Sequence, residues 1–296
     1  MRRVSTHEGQ DAHDARESDG AARQRGAQMR RHTSPPGRGK AAPRHALRAW
    51  PEIARSLAPG GTHALLLDFD GTLVAFRRYP EEVCCPPRTK LLLGRLALLP
   101  NVRVGMISGR RAEPLERLIG VRGLSYWGVW GAEFGGRLAR IRPSTQLALS
   151  RARRAFERAL RGVKGVYLED KGISLTVHFY GARKLAVRAA AAAALRRAVV
   201  GVGRGLRLIE GLRAWDVMPR ELEDKGAAVR SVMRKLPAGT VGIYIGDDAA
   251  DEPAFAALPH GITVRVGKPR KTAARYWLRN PAEVHQFLAR IEEALQ

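Results

Sequence analysis

The sequence contains little cysteine and no long hydrophobic run, and each absence excludes a class of protein. Its 296 residues include two cysteines, the neighbours Cys84 and Cys85. Because neighbouring cysteines could form only a strained bridge, a disulfide framework is excluded and a reducing, cytoplasmic location is expected. No apolar run approaches the roughly 18 residues of a membrane helix, and none follows Arg2 and Arg3 as in a signal peptide. The sequence therefore predicts a protein with neither a membrane span nor a secretion signal.

Acidic residues are scarce relative to basic ones. Lys and Arg number 52 against 28 Asp and Glu, a formal net charge of +24. This excess favours an anionic partner such as phosphate, nucleic acid or an acidic surface, although a genomic bias towards Arg and Ala also accounts for part of it. Aromatic residues make up only 6% and do not alternate with basic ones, which disfavours direct nucleic-acid binding.

The composition changes along the chain and indicates several regions. Residues 1–45 are rich in Arg, Gly, Ser, Pro and His without helical or strand periodicity, which predicts a disordered basic tail. From residue 60 onward, short apolar runs alternate with amphipathic segments. Strands are predicted from His63 and at 102–107, 126–129, 241–245 and 262–266, and helices at 87–99, 113–119, 225–236 and 252–258. This alternation predicts a doubly wound α/β layer in two sections, 60–130 and 215–296.

A segment of different character, residues 131–214, interrupts the α/β pattern. It has predicted helices at 146–160 and 183–200 and predicted strands at 172–179, 206–209 and 214–217. The run 172–179 alternates apolar and polar residues, which is typical of an antiparallel strand with one solvated face. These elements predict an inserted α+β domain.

The strongest chemical signal is Asp68-Phe-Asp-Gly-Thr-Leu73, which directly follows a predicted buried strand. Ligands of open parallel sheets bind at the carboxyl ends of the strands, where this sequence places Asp68 and Asp70. Phosphoryl transfer needs a nucleophile and a proton donor, and these two carboxylates can supply them. Ser108 follows a second strand and Lys225 begins a helix, and both side chains suit phosphate binding.

A third strand end carries Gly246-Asp-Asp-Ala-Ala-Asp251-Glu. Its carboxylates, Asp247, Asp248 and Asp251, are hard oxygen ligands of the kind that Mg²⁺ requires. Of the intervals between the strand-end motifs, the one from Ser108 to Lys225 is long enough for an extra domain. A domain inserted there would cover the carboxylates, exclude water and select the leaving group.

These motifs, in this order, resemble the haloacid dehalogenase (HAD) superfamily and, within it, the trehalose-6-phosphate phosphatases. The resemblance covers about residues 60–290 and extends to the segments Ile107-Ser-Gly-Arg110, Gly131-Ala-Glu133, Glu169 to His178, Asp224-Lys-Gly226 and Gly246 to Phe255. It implies a Rossmann-like core with an inserted α+β cap. The implied activity is that of a Mg²⁺-dependent phosphoric monoester hydrolase, which converts trehalose 6-phosphate to trehalose and phosphate through an aspartyl-phosphate.

The resemblance also implies a role for individual residues. Asp68 would be the nucleophile, and Asp70 would protonate the sugar oxygen and then activate water. Metal ligands would come from Asp68, Asp70 through its backbone carbonyl, and Asp247, with support from Asp248 or Asp251. Phosphate would be bound by Ser108, Gly109 and Lys225. The implied sugar contacts are Arg110, Glu133, Glu169, Lys171 and His178.

Three positions differ from the usual pattern of these phosphatases. Trp130 stands where His is common, Tyr180 replaces an Arg, and Asp216-Val-Met-Pro219 replaces Glu-Val-Arg-Pro, which puts Met218 in place of an Arg. Because sugars are distinguished by paired polar contacts, these differences leave two alternatives open. One is a phosphatase of another sugar or glycoside phosphate. The other is a non-catalytic sugar-phosphate-binding regulator, with a trehalose-6-phosphate synthase as a candidate partner in either case.

Overall fold

The computed structural model describes residues 42–57, 60–77, 82–179, 189–193, 195–197, 205–210, 214–268 and 271–296. In these residues the strands form a nine-stranded sheet and a four-stranded sheet. The large sheet consists of β1 (Arg44–His45), β2 (His63–Leu67), β3 (Val102–Ile107), β4 (Ser125–Gly128), β5 (Glu133–Phe134), β6 (Arg137–Leu138), β11 (Val241–Gly246), β12 (Ile262–Val266) and β13 (Tyr276–Leu278). The small sheet consists of β7 (Tyr167–Asp170), β8 (Leu175–His178), β9 (Leu206–Glu210) and β10 (Ala214–Pro219).

The large sheet has the strand order β1-β13-β12-β11-β2-β3-β4-β5-β6. In this spatial order, all neighbouring strands from β1 as far as β4 pair in parallel. Strands β5 and β6 then add an antiparallel edge. Leu67 of the central strand β2 lies between Met106 of β3 and Ile245 of β11. The residues after these three strands therefore meet at one edge of the sheet, as the sequence predicts.

Helices cover both faces of the large sheet, because its central strand is apolar on both sides. Leu65 and Leu67 face one core, and Leu66 faces the other. The helices are α1 (Trp50–Arg55), α2 (Pro87–Leu98), α3 (Ala112–Ile119), α5 (Lys225–Met233), α6 (Glu252–Ala257) and α7 (Pro281–Leu295). This arrangement confirms the predicted doubly wound α/β layer.

The small sheet is antiparallel, in the order β7-β8-β10-β9. Helix α4 (Pro143–Ala159) packs on it through Leu149, Ala152 and Phe156. The described parts of the second predicted helix, 189–193 and 195–197, are helical, and Leu195 joins the same cluster. These elements form an α+β layer. The segment of chain that builds it lies, in sequence, between the two sections that build the α/β layer.

The structure changes the predicted region boundaries. Arg44 and His45 were predicted to lie in the tail, but they pair with Tyr276 and Trp277 as the edge strand β1. Strands β5 and β6 extend the large sheet beyond residue 130, and β10 continues the small sheet to Pro219. Of the predicted tail, residues 1–41 lie outside the described residues. Among the helices that are described, none is long and apolar enough to cross a membrane.

Candidate active site

Lys225 lies buried between two carboxylates, one directly after β2 and the other in the loop that follows β11. Its Nζ donates to Asp68 Oδ1 and to Asp251 Oδ1, at 2.7 Å each. The Thr72 hydroxyl donates to the other Asp68 oxygen, Oδ2, at 3.0 Å. Lys225 reaches this position because Asp224 caps the N-terminus of α5 by accepting from Ala227 N at 3.0 Å. Both Asp68 oxygens are thus held by donors at the carboxyl end of β2.

Burial and charge set the protonation of this cluster. Burial is the largest cause that raises the pKa of Asp68, to about 7, and the Lys225 ammonium opposes it. Burial alone would lower the pKa of Lys225, but the carboxylates of Asp251 and Asp68 outweigh that effect and raise it. The lysine therefore stays charged, and its ammonium offsets part of the cost of ionising the buried Asp68 carboxylate.

Asp251 organises the loop after β11. Its Oδ1 accepts from Lys225 and from the Tyr244 hydroxyl, the latter at 2.7 Å, and its Oδ2 accepts from the backbone N–H groups of Asp247 and Asp248 at 2.9 Å each. Four donors occupy the roughly four acceptor sites of the carboxylate. Asp248 caps the following turn, Ala249–Asp251. Asp251 therefore has a positioning role in this arrangement.

Three carboxylates could share a metal ion. Asp68, Asp247 and Asp251 each offer an oxygen, and these oxygens lie within 4.8 Å of one another. Burial, followed by the nearby carboxylates, raises the pKa of Asp247 well above its usual range. Gly71, at φ +85°, lets the Asp247 carboxylate approach so closely that a Cβ there would collide with it. Crowded hard oxygen donors fit a small divalent cation such as Mg²⁺.

The Asp70 carboxylate pairs with Arg110 and is not one of the three clustered carboxylates. Arg110 donates from Nε to Asp70 Oδ2 at 2.7 Å and from Nη2 to Oδ1 at 2.8 Å. The Arg110 backbone N–H donates to Ser108 Oγ at 3.2 Å, which fixes the hydroxyl beside the cluster. Arg110, predicted as a sugar contact, thus orients the predicted acid. A bidentate pair of this kind fixes the plane of the carboxylate.

A cavity of 1160 Å³ lies over these groups, with walls from both sheets. Twelve of the thirteen predicted site residues line it: Asp68, Asp70, Ser108, Gly109, Arg110, Glu169, Lys171, His178, Lys225, Asp247, Asp248 and Asp251. The predicted catalytic, metal-binding and phosphate-binding residues therefore line the same cavity as most of the predicted sugar contacts.

The small sheet supplies a charged wall opposite the carboxylates. His178 Nε2 and Glu169 Oε2 lie 2.8 Å apart, and the ammonium of Lys171 lies 3.6 Å from Glu169 Oε2 and 3.9 Å from Asp216 Oδ1. Burial raises the pKa of Glu169, but His178 and Lys171 outweigh it, so the net pKa is lowered. For Asp216, burial dominates and raises the pKa despite Lys171.

Glu133 is the predicted site residue that the cavity wall lacks. It is buried, its two oxygens accept from Arg111 Nε at 2.9 Å and Nη2 at 3.0 Å, and Oε2 also accepts from Ala112 N at 2.8 Å. A carboxylate at the start of α3 is favoured by the helix dipole. Glu133 therefore joins β5 to α3 and does not line the cavity, where the prediction placed it. Tyr180 lies outside the described residues.

Several residues of the site were missed from the sequence. Thr72 and Tyr244 donate to the two buried carboxylates, and Thr176 donates to Asp216. Arg265 is buried in β12, where it donates to the Asp247 backbone carbonyl at 2.6 Å and to Glu252 at 2.9 Å. An arginine inside a predicted buried strand was the available signal, because a buried guanidinium requires partners.

Comparison with known proteins identifies relatives. The trehalose-phosphatase family model matches residues 66–279. A trehalose-phosphate phosphatase of Mycobacterium marinum (strain ATCC BAA-535 / M) is 30% identical over 246 residues, which cover 78% of this chain and 62% of that protein. The chain thus spans less than two thirds of the length of this relative.

Solved structures show the same fold. The C-terminal domain of the Candida albicans trehalose-6-phosphate phosphatase aligns with a TM-score of 0.72 at 19% identity, covering 86% of this chain and all of that domain. A phosphatase of the HAD superfamily from Bacteroides thetaiotaomicron aligns with a TM-score of 0.53 at 15% identity, covering 80% of this chain and 98% of the other.

Proposed function

Because the chain belongs to the trehalose-phosphatase family, we propose that it hydrolyses trehalose 6-phosphate to trehalose and inorganic phosphate. The observation that carries the proposal is the buried Asp68 carboxylate, oriented by Lys225 and Thr72 beneath a cavity large enough for a disaccharide. Binding alone would not need a carboxylate held in this way, which argues against a purely regulatory role.

In the proposed first step, an Asp68 oxygen attacks phosphorus and the bond from phosphorus to the sugar oxygen breaks. Lys225 offsets charge on the phosphoryl oxygens as a fixed ammonium, and the Ser108 hydroxyl can donate to another of them. Lys225 also favours the ionised, nucleophilic form of Asp68 against the effect of burial. The products of this step are an aspartyl-phosphate and the sugar alkoxide, which needs a proton.

Asp70 is proposed to supply that proton and then to accept one from the attacking water. Water attacks the aspartyl-phosphate at phosphorus, which releases phosphate and regenerates the Asp68 carboxylate. Arg110 holds the Asp70 carboxylate in a fixed plane at the cavity wall. This orientation suits a group that must face the leaving oxygen and later the water in the same place.

Mg²⁺ is the proposed cofactor, held by the side chains of Asp68 and Asp247 and by the Asp70 backbone carbonyl, with Asp248 and Asp251 in support. When bound, the cation offsets negative charge on the phosphoryl group and the carboxylates. Asp247 suits a ligand role because, among the described residues, none donates a hydrogen bond to its carboxylate.

Mg²⁺ is expected to raise the melting temperature of the protein, and to raise it more at about pH 8 than at about pH 5. The pKa values of the Asp68 and Asp247 carboxyl groups are both raised, that of Asp68 to about 7, so protons compete with the cation more strongly at the lower pH. Differential scanning fluorimetry measures the shift. Asp247→Asn should abolish most of it, and an equal shift in that variant would rule out this cluster as the site.

The wall of the small sheet is proposed to bind the sugar. Glu169 and His178 can form hydrogen bonds with hydroxyl groups. The side chain of Lys171 is 6% exposed, and it presents an ammonium group to the cavity. Sites built to pair with hydroxyls discriminate strongly, since a missing partner leaves a buried polar group unsatisfied.

Lys171→Met or Glu169→Gln is expected to lower kcat/KM for trehalose 6-phosphate by tens to hundreds of fold. The same variants should keep p-nitrophenyl phosphate hydrolysis within about threefold of wild type, because that ester has no sugar but uses the same Asp68. Steady-state kinetics with both esters measures the ratio. Equal losses on the two esters would show that these residues support the chemistry or the fold instead.

Phosphate release from a panel of sugar phosphates tests the substrate itself. We expect trehalose 6-phosphate to have the highest kcat/KM, and a preference for glucose 6-phosphate would reject the disaccharide.

We also propose a reducing, cytoplasmic location, because Cys84 and Cys85 are free thiols and burial raises the pKa of Cys85 to about 11. A trehalose-6-phosphate synthase there would supply the substrate, and co-purification with it tests that partner.

A further inference from the structure

Trp130 occupies a strained turn directly beside the phosphoryl site. Its φ is +57° and that of the preceding Val129 is +48°, a left-handed conformation that a β-branched residue rarely adopts. Two hydrogen bonds hold the turn: Val129 N donates to Arg110 O and Trp130 N donates to Ser108 O, each at 2.9 Å. Such backbone conformations persist only where the surroundings enforce them. The turn is thus fastened to the loop that carries Ser108.

The indole ring of Trp130 spans the two halves of the site. On one side it packs on Gly109, where an added Cβ would lie 2.8 Å from ring Cζ2. On the other side the ring joins an apolar cluster with Ile173 and Met218, which adjoin or belong to the small sheet. Trp130 as a whole is 8% exposed, and it also lines the cavity. One rigid side chain therefore separates the phosphoryl loop from the proposed sugar wall.

Lys171 rests on the face of this ring. Its Nζ lies 4.8 Å from the ring centroid, within the range of a cation–π interaction. The carboxylate oxygens of Glu169 and Asp216 are 3.6 Å and 3.9 Å away, which is longer than a hydrogen bond. The carboxylates attract the ammonium, while the ring face limits how far it can approach the phosphoryl loop.

We propose that Trp130 is a positioning residue that sets sugar specificity by fixing the Lys171 ammonium at a set height above the Ser108–Gly109 loop. The inference rests on the proposed sugar-phosphatase function and adds to it a residue that the sequence marks only as a departure from the family pattern. A substrate is then selected by the separation between its phosphate and the hydroxyl that reaches Lys171. An aliphatic side chain at position 130 would leave the ammonium less constrained.

A double-mutant cycle of Trp130→Leu and Lys171→Met tests this role. Trp130→Leu should lower kcat/KM for trehalose 6-phosphate by about ten- to thirtyfold, as expected for the loss of a desolvated cation–π contact, and p-nitrophenyl phosphate by less than about threefold. Trp130→Phe, which keeps a ring, should retain most of the activity. In the Lys171→Met background, Trp130→Leu should add less than about threefold, because the two residues act as one unit.

Trp127→Leu is the matched control. Trp127 also packs its indole on a glycine of the large sheet, Gly105, and stacks on Phe134, but it is not part of the cavity wall. It should lower the melting temperature without changing the ratio of the two kcat/KM values. If Trp130→Leu fails to fold, the unbranched Trp130→Met takes its place in the cycle.

Two results would overturn the inference: losses from Trp130→Leu and Lys171→Met that multiply in the double variant, or equal losses on both esters. Failure of the proposed function is distinguishable from failure of the inference, because it would be seen in the substrate preference of the wild-type protein. A wild-type enzyme that cleaves p-nitrophenyl phosphate but prefers another sugar phosphate rejects only the disaccharide. The cycle is then run with the preferred sugar phosphate, and the same coupling is expected.

Discussion

Asp68→Asn is expected to reduce turnover of every phosphate ester by on the order of a millionfold, the scale seen when an enzyme loses its nucleophile. The amide keeps the shape of the carboxylate but cannot attack phosphorus. The effect should be equal for trehalose 6-phosphate and p-nitrophenyl phosphate, because both would pass through the same aspartyl-phosphate. This equality separates the variant from those of the sugar wall, whose effects depend on the ester.

The fold should survive the Asp68→Asn change. Burial is the main reason that the pKa of Asp68 is raised to about 7, so an ionised carboxylate at this position is costly and a neutral amide is tolerated. Lys225 keeps its second partner, Asp251, at 2.7 Å. Urea unfolding and circular dichroism measure stability, with exposed Glu113→Gln as the control. More than about a tenth of wild-type activity in a folded Asp68→Asn protein would contradict nucleophilic catalysis.

Acid-quenched mass spectrometry adds a direct measurement of the same step. Wild-type enzyme mixed with substrate should carry one phosphoryl group on the peptide that contains Asp68, and Asp68→Asn should carry none. A phosphorylated peptide elsewhere in the chain would assign the nucleophile to another residue.

The core site could be predicted from the sequence because its main residues follow the ends of buried parallel strands. Asp68, Ser108 and Asp247 each follow a buried parallel strand, and neighbouring parallel strands end at one edge. Lys225 starts a helix with a recognisable cap at Asp224. Local patterns and one topological rule were therefore sufficient to bring these residues together.

The remaining contacts depend on side-chain directions that no local pattern encodes. Glu133 was predicted to face the sugar, yet Arg111 and the start of α3 draw it into the core. Arg110 contacts Asp70 because both side chains extend into the same edge of the sheet from strands that are 40 residues apart in sequence. Strand β1 was assigned to the tail because two residues carry no periodic signal.

Lys225→Met is expected to lower both activity and stability. Lys225 is 4% exposed in its side chain and is the shared partner of two buried carboxylates. Breaking a buried ion pair by removing one partner typically costs about 3–5 kcal/mol, because an uncompensated charge stays behind. Loss of one preorganised donor costs roughly a hundred- to a thousandfold in kcat, and the nucleophile here would also be protonated more readily. Lys235→Met, on an exposed lysine, is the matched control and should change stability by less than about 1 kcal/mol.

The stability loss of Lys225→Met should depend on pH in a defined direction. An aspartate in the unfolded chain has a pKa of about 3.9, and without the ammonium the pKa of Asp68 in the folded protein rises further above that value. The folded state then binds protons more tightly, so stability falls as the pH increases above about 4. Because wild-type Asp68 is itself protonated below its pKa of about 7, urea unfolding should show a smaller deficit at pH 6 than at pH 9, where only wild type holds an ionised Asp68 paired with Lys225. Adding Asp251→Asn should recover part of the stability at pH 9 without restoring activity, because it removes a buried carboxylate that Lys225 no longer compensates. A deficit that is constant between these two pH values would show that Lys225 stabilises the fold through packing and not through the charge that the proposed chemistry requires.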